Sequence, residues 1–486
     1  MKDAALGFRQ LRARLRDFQS LNTAAGLLEW DMEVLMPRGG GEARALQFGA
    51  VSRAAHELLV AGETGGLIEE LAPAAAAAPP EDSDAALWRW AEREYRRRRR
   101  QPAGFVEELA SHCSRAQEAW AEARTRNDYG LFLPELKRML ELKRRQAAYV
   151  GDFFDPYDAW LEEYEPGMTT AEIETLFGGL KPGLVALVSA VAERAESARM
   201  PRLAGSFPVD RQRVFGEEVA RAMGFDFERG RLDVSAHPFS AAISRDDVRL
   251  TTRYREDMPF SALFGVMHEA GHGLYEQNVA AELGHTPLCH GATMAAHESQ
   301  SRLWENLVGR GRGFWKRFLP RFQELFPAAA GFDAESMYRA VNRVEGSFIR
   351  VEADELTYSL HVMLRFDLER ALLSGRVSAA ELPEAWAAKS REYFGVVPPD
   401  AASGVLQDVH WSAGLLGYFP TYAIGNMISV QLYDAAPDKE DYPALLGWLR
   451  ENVHRHGRKF GAEELVRRAT GAPISPDPYL RYLRNK

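Results

Sequence analysis

The sequence predicts a mainly α-helical protein, one large helical body with a small β-sheet close to a cluster of histidines. Three observations carry this. Apolar residues recur at three- and four-residue spacing through most of the 486 residues. Alternating runs of strand type are confined to a short region between His237 and Tyr254. Six of the 12 histidines (His237, His268, His272, His285, His290 and His297) fall within residues 237–297.

The elements follow in order. Residues 5–30, rich in Ala, Leu and Arg, read as the first helix. Residues 84–100, 104–126, 131–152, 171–198 and 210–223 show the same spacing, as do 260–280, 291–310, 335–374, 379–392 and 441–454. Stops are expected at Pro37 to Gly41, in the Ala/Pro stretch 72–80, at Glu165-Pro166-Gly167 and at Pro201. Thr169-Thr170-Ala171-Glu172 has capping-box form before an apolar run. Ala241 to Ser244 and Val248 to Thr252 flank Arg245-Asp246-Asp247, which predicts a hairpin. The segment 248–252 is expected to offer an edge for an extended peptide.

Composition excludes several classes. Lys and Arg number 60 against 69 Asp and Glu, a net charge of −9, so a basic nucleic-acid binder is disfavoured. Arg96 to Arg100 read as a solvated helix end, where the macrodipole favours cations. The 46% hydrophobic and 27% charged residues are ordinary globular values. No signal peptide and no apolar stretch of membrane-spanning length are expected, so no membrane partner is expected either. Cys113 and Cys289 alone cannot build a disulfide framework, which fits a reducing cytoplasm.

Residues 260–276 read FSALFGVMHEAGHGLYE and contain an H-E-x-x-H motif at His268 to His272. On a helix, positions i and i+4 lie about 40° apart on one face, so two imidazoles reach one ion. Glu269 points away from the ligand pair and can face an open coordination position as a general base. A bound zinc lowers the pKa of its water to about 7, and a carboxylate alongside can take the proton. Chance gives roughly 0.04 such matches in a chain of this composition. Gly271 and Gly273 weaken the helix and allow another backbone close approach. A third protein ligand is required. Tyr275 and Asn278 stand where a metzincin needs Gly and His. Spacing offers Glu298 on a following helix, with His285, Cys289, His290 and His297 as competitors.

Several ordered motifs then match a known family. They are His237-Pro238-Phe239, Asp247-Val248-Arg249-Leu250-Thr251, His268 to His272, His297-Glu298-Ser299-Gln300, Ile349 to Asp354, and Gly404 to Trp411. Shorter similarities are Trp30-Asp31, Met36-Pro37, Tyr157-Asp158, Glu165-Pro166-Gly167 and Tyr418 to Tyr422. Val34 departs from the usual threonine, a change that bears on N-terminal packing. Over nearly its full length the chain resembles the carboxypeptidase Taq family of metallocarboxypeptidases. The resemblance implies a single domain over residues 1–486 with a deep substrate groove, covered by a helical part up to about residue 200. The catalytic part, from about 201 to 486, holds the small sheet beside the metal. The resemblance also implies a homodimer acting on peptide substrates, with His268, His272 and Glu298 as ligands and Glu269 as the catalytic carboxylate. It implies zinc, with cobalt able to substitute, and release of single C-terminal residues with broad tolerance but poor action on Pro.

A carboxypeptidase must recognise the terminal carboxylate, and a guanidinium does so in a planar, bidentate manner. Arg350 is the first candidate and Arg249 the second, each with a structural ion pair as the alternative. His237, His410, Tyr418 and Tyr422 are candidates to stabilise charge on the attacked carbonyl. Gln407 and Asp408 are candidates to orient His410 or the substrate. Ser301 and Glu305 are candidate outer partners of the ligands.

Overall fold

A computed structural model of the chain describes residues 2–151, 153–194 and 200–486. Among the described residues helices dominate, and three short strands form one sheet. The chain separates into two compact units. The first comprises Met1–Arg96, Pro201–Val341 and Ile428–Ile474; the second comprises Arg97–Met200, Asn342–Met427 and Ser475–Lys486.

The first unit opens with α1 (Lys2–Val34), which buries Leu11, Leu15 and Phe18 at four- and three-residue spacing. The sheet holds β1 (Gly230–Val234), β2 (Ser240–Ser244) and β3 (Asp247–Thr252) in the order β1-β3-β2. The predicted hairpin is β2 with β3, antiparallel, with an irregularity between Ala242 and Ser244. Strand β1 was not expected; it pairs parallel to β3 in the register Leu232 to Leu250. This overturns the edge role expected of 248–252. Strand β3 is central and spends its backbone groups on two neighbours.

Helix α2 (Pro259–Gln277) starts on a proline, whose missing N–H costs nothing there. It is buried nearly all round, with Val266, Met267, Ala270 and Leu274 at or near zero exposure. Helix α3 (Met294–Arg302) is capped by Thr293, whose hydroxyl accepts from the Ala296 N–H. It runs on into a π-helical stretch, Leu303–Gly309.

In the second unit the helix Thr170–Arg194 buries Ile173, Phe177, Leu180 and Leu184 along one stripe. It packs on the helix α4 (Glu355–Leu373) and on the C-terminal helix Pro476–Asn485. Leu480 lies so close to Gly183 that a Cβ there would meet it at 2.6 Å. Residues 170–193 have a mean hydropathy of 1.5 over their most apolar window, long and apolar enough to cross a membrane by composition. The sequence reading did not expect this. The end of that helix expected at 195–198 lies outside the described residues.

Two other expectations change. The Ala/Pro stretch 72–80 is helical as far as Ala77, since a run of alanines carries the helix past Pro73. The continuous helix expected over 335–374 is broken. It consists of Ala334–Val341, a 3-10 turn at Arg350–Glu352, and α4, capped by the Asp354 carboxylate. The arginine run closes the helix Ser83–Arg99: Arg96 pairs with Glu92, Arg97 with Glu163, and Arg100 donates to the Val150 carbonyl.

Candidate metal centre

Helix α2 and the last turn of α3 are held together at glycine. A Cβ at Gly271 would stand 2.6 Å from the Gln300 carbonyl oxygen and 2.7 Å from the Ser301 Cα. Both are backbone atoms that cannot swing aside, so only glycine permits this approach. It brings Glu298 to the face of α2 that carries His268 and His272. Glu298 Oε2 lies 3.6 Å from Nε2 of each histidine. The ligand atoms of His268, His272 and Glu298 all fall within 4.8 Å of one another.

This donor set fits a divalent cation. Ligands at about 2.0–2.2 Å from one tetrahedral ion stand roughly 3.3–3.6 Å apart, and Glu298 Oε2 stands at 3.6 Å from each histidine. Two imidazoles and one carboxylate leave a fourth position open, as a catalytic site requires. The other oxygen of Glu298 is spoken for: Arg302 Nε donates to Oε1 at 2.7 Å. Ser301 donates to the Glu298 backbone carbonyl at 2.7 Å and to Oε2 at 3.2 Å.

The far nitrogens of both histidines are also engaged. Nδ1 of His268 lies 2.9 Å from Glu305 Oε2. Glu305 sits in the π-helical stretch, a local widening often found at functional sites. Arg302 and Arg310 reach the same carboxylate. Nδ1 of His272 lies 2.6 Å from Nδ1 of His297.

The electrostatics follow from burial and crowding. Burial alone would lower His268, but the carboxylates of Glu298, Glu305 and Glu269 outweigh it and raise the imidazole above its usual value. Burial drives His272 down to about 4, so its lone pair is available near neutral pH. Glu298 is buried yet held well below the carboxylate range by Arg302, His268 and His272. Burial pushes the Glu269 carboxyl up to about 7, with Glu298 and Glu305 reinforcing and His268 opposing. One carboxylate is thus held charged to bind a cation, and its neighbour is poised to exchange a proton near neutrality.

The competing ligands have other positions. His290 Nδ1 contacts Glu276 at 2.9 Å, and His297 joins His272 to Glu276. Cys289 is buried with a free thiol, and His285 sits in a left-handed turn with φ of 60°. His237 is exposed on the loop between β1 and β2, its carbonyl accepting from the Ser235 hydroxyl. The adjoining Pro238 touches the Gly265 position of α2. Arg249 lies in the same unit, bound by both its Nε and Nη2 to Asp247 at 2.9 Å, with its guanidinium 4.3 Å from the Trp30 ring. The alternative, a structural ion pair with an acid of the hairpin, is therefore present, but it runs along strand β3 rather than across strands.

The remaining candidates gather in the second unit. Arg350 is buried and donates to Asp408 Oδ1 at 2.9 and 3.1 Å and to the Tyr358 hydroxyl at 3.0 Å. Arg365, fully buried, donates to Asp408 Oδ2 at 2.6 Å. The partner of Arg350 is thus Asp408, not the local Glu352 or Asp354. Gln407 does not turn toward His410; its oxygen accepts from the Arg350 N–H at 2.8 Å, and its amide donates to the Phe348, Ser403 and Gly404 carbonyls. His410 Nε2 lies 3.4 Å from the Tyr422 hydroxyl, and the His410, Tyr418 and Tyr422 rings pack together. Burial, reinforced by Arg350, pushes His410 down to about 3, so it works as a neutral imidazole. Two guanidiniums share one carboxylate here, which leaves an excess of positive charge.

Sequence reasoning missed Arg302, Arg310, Glu276 and Arg365. Arg302 had a signal, since it stands four residues after Glu298 on one helix. The others are brought in by tertiary packing.

Known proteins match this arrangement along the whole chain. The profile of the family described as carboxypeptidase Taq (M32) metallopeptidase matches residues 10–486. Thermostable carboxypeptidase 1 of Thermus thermophilus is 41% identical over 494 aligned residues, covering 97% of this chain and 96% of that protein. Carboxypeptidase 1 of Bacillus subtilis is 36% identical, covering 97% of this chain and 96% of that one. The crystal structure of an M32 carboxypeptidase from Deinococcus radiodurans superimposes with a TM-score of 0.93 at 41% identity, covering 99% of this chain and 98% of that one. A metallocarboxypeptidase of Trypanosoma cruzi gives a TM-score of 0.94 at 34% identity, covering 99% of each chain. The chain therefore belongs to the carboxypeptidase Taq (M32) family, and it is a metallocarboxypeptidase.

Proposed function

We propose that the protein is a zinc carboxypeptidase of broad specificity that removes single residues from peptide C-termini, with Glu269 as general base. The observation that carries this is the convergence of His268, His272 and Glu298 at the helix that also bears the buried carboxyl of Glu269. The cation, when bound, supplies Lewis-acid charge that polarises the scissile carbonyl and makes a water acidic. Glu269 accepts the water's proton at its carboxylate and passes it to the departing amide nitrogen. Arg302 keeps Glu298 charged and Glu305 orients His268. The excess positive charge around Arg350 and Arg365 supports Arg350 as partner of the terminal carboxylate. His237, His410, Tyr418 and Tyr422 remain the proposed donors to the developing oxyanion. The resemblance and the two free cysteines support a cytoplasmic homodimer acting on peptides.

The metal and the breadth are tested together. The purified protein should carry one zinc per chain, lose activity on chelation, and regain it with zinc or cobalt. N-blocked peptides differing only in the last residue should all be cleaved, with C-terminal Pro the poor exception. A purified protein that zinc cannot reactivate contradicts the zinc assignment, and turnover of a single residue type contradicts the breadth.

A further inference from the structure

His272 is tied into a part-buried chain of polar groups that the catalytic reading does not use. Its Nε2 faces Glu298, so its Nδ1 carries the proton in any cation complex. That Nδ1 is 2.6 Å from Nδ1 of His297, which must then accept. The proton of a neutral His297 is left on Nε2, 2.7 Å from Glu276 Oε1. Glu276 is only 3% exposed, and it also accepts from the Gly291 N–H at 2.9 Å and contacts His290 Nδ1 at 2.9 Å. The other nitrogen of His290 is closed by the Gln19 side-chain amide of α1 at 2.8 Å. The loop wraps the chain tightly: a Cβ at Gly291 would meet the His297 ring at 2.6 Å. Every donor and acceptor is matched in one direction only.

We propose that His297 and Glu276 are positioning residues. Hydrogen bonds from His272 through His297 to Glu276 fix His272 in the tautomer that offers Nε2 to the cation, and the hydrogen bond between Glu276 and His290 anchors them. His268 obtains the same service from Glu305 directly, so the two ligands are oriented by separate routes. The inference rests on His272 being a metal ligand. Outer partners of this kind are worth roughly 10–100-fold in metal affinity.

Zinc affinity, measured by competition with a chromogenic chelator, tests it. Glu276→Gln and His297→Gln should each weaken zinc binding about 10–100-fold, and the double variant should lose no more than the weaker single one. Glu276→Gln combined with Glu305→Gln should lose the product of the two single losses. In the zinc-loaded wild-type chain labelled with 15N-histidine, His272 should carry its proton on Nδ1 and His297 on Nε2, a readout independent of whether any variant folds. Wild-type affinity in both single variants, a His297–Glu276 double loss equal to the product of the singles, or a proton on Nδ1 of His297 overturns the proposal. Failure of the ligand assignment itself looks different: His272→Ala would then bind zinc as tightly as the wild type.

Discussion

Glu269→Gln is expected to lower kcat/KM by about 10²–10⁴-fold, the range for loss of a general acid–base group, while the protein keeps its metal. The two halves of this expectation come from different features of the site. Glu269 belongs to α2 but not to the converging set His268, His272 and Glu298, so the amide should leave cation binding in place. Its burial and the neighbouring acids hold its carboxyl at about 7 in the metal-free chain. A cation beside it stabilises the carboxylate and lowers that value. The acidic limb of the wild-type rate profile should therefore rise with pH through a midpoint below 7 and be absent from the residual activity of the variant. Metal content by elemental analysis and kcat/KM against pH check both halves. Loss of the metal together with the activity would move Glu269 from base to ligand.

The second large effect is expected at Glu298. Replacing it with Ala should abolish stoichiometric metal binding and activity together, a greater loss than the roughly 10–100-fold typical of an outer partner. The change also strips Arg302 of its 2.7 Å partner, although Glu305 remains 3.3 Å from the guanidinium. Glu298→Gln separates these effects, since it keeps the side-chain volume but offers only a neutral oxygen. Both variants should bind zinc weakly at unchanged helical content. Retention of one ion per chain with activity would remove Glu298 from the ligand set and return Cys289 or a histidine to it.

Much of this was legible in the sequence because it was local. The spacing of His268 and His272 is a helix-face property, and the hairpin of β2 and β3 is announced by alternation around a charged turn. The glycines of α2 predicted a close neighbour, and the backbone of Gln300 and Ser301 supplies it. Strand β1 was illegible because it is short, carries Arg231 and Asp233, and pairs parallel to a strand beginning 13 residues beyond its end. The break between Val341 and α4 was hidden by apolar spacing that continues through a segment with no helix to use it.

The site residues divide in the same way. Arg350 was picked as a guanidinium within the motif Ile349 to Asp354, but its partner Asp408 is 58 positions away, where no local pattern could point. Gln407 looked like a companion of His410 and is instead a brace for the Arg350 backbone. Glu276 is ordinary in the sequence, and His297 stood out there only as a clustered histidine, a competing ligand and a motif neighbour of Glu298. Their alignment with His272 depends on how α2, α3 and the loop at His290 and Gly291 pack.

In the proposed activity, a cation held by His268, His272 and Glu298, with Glu269 beside it, removes residues one at a time from a peptide's C-terminus. The most direct measurement is a time course of product masses from an N-blocked peptide. The expected product pattern is a ladder in which each mass falls by one C-terminal residue, absent after chelation and in Glu269→Gln. Internal fragments, products shortened two residues at a time, or a peptide bound but left intact by the metal-loaded protein would contradict it.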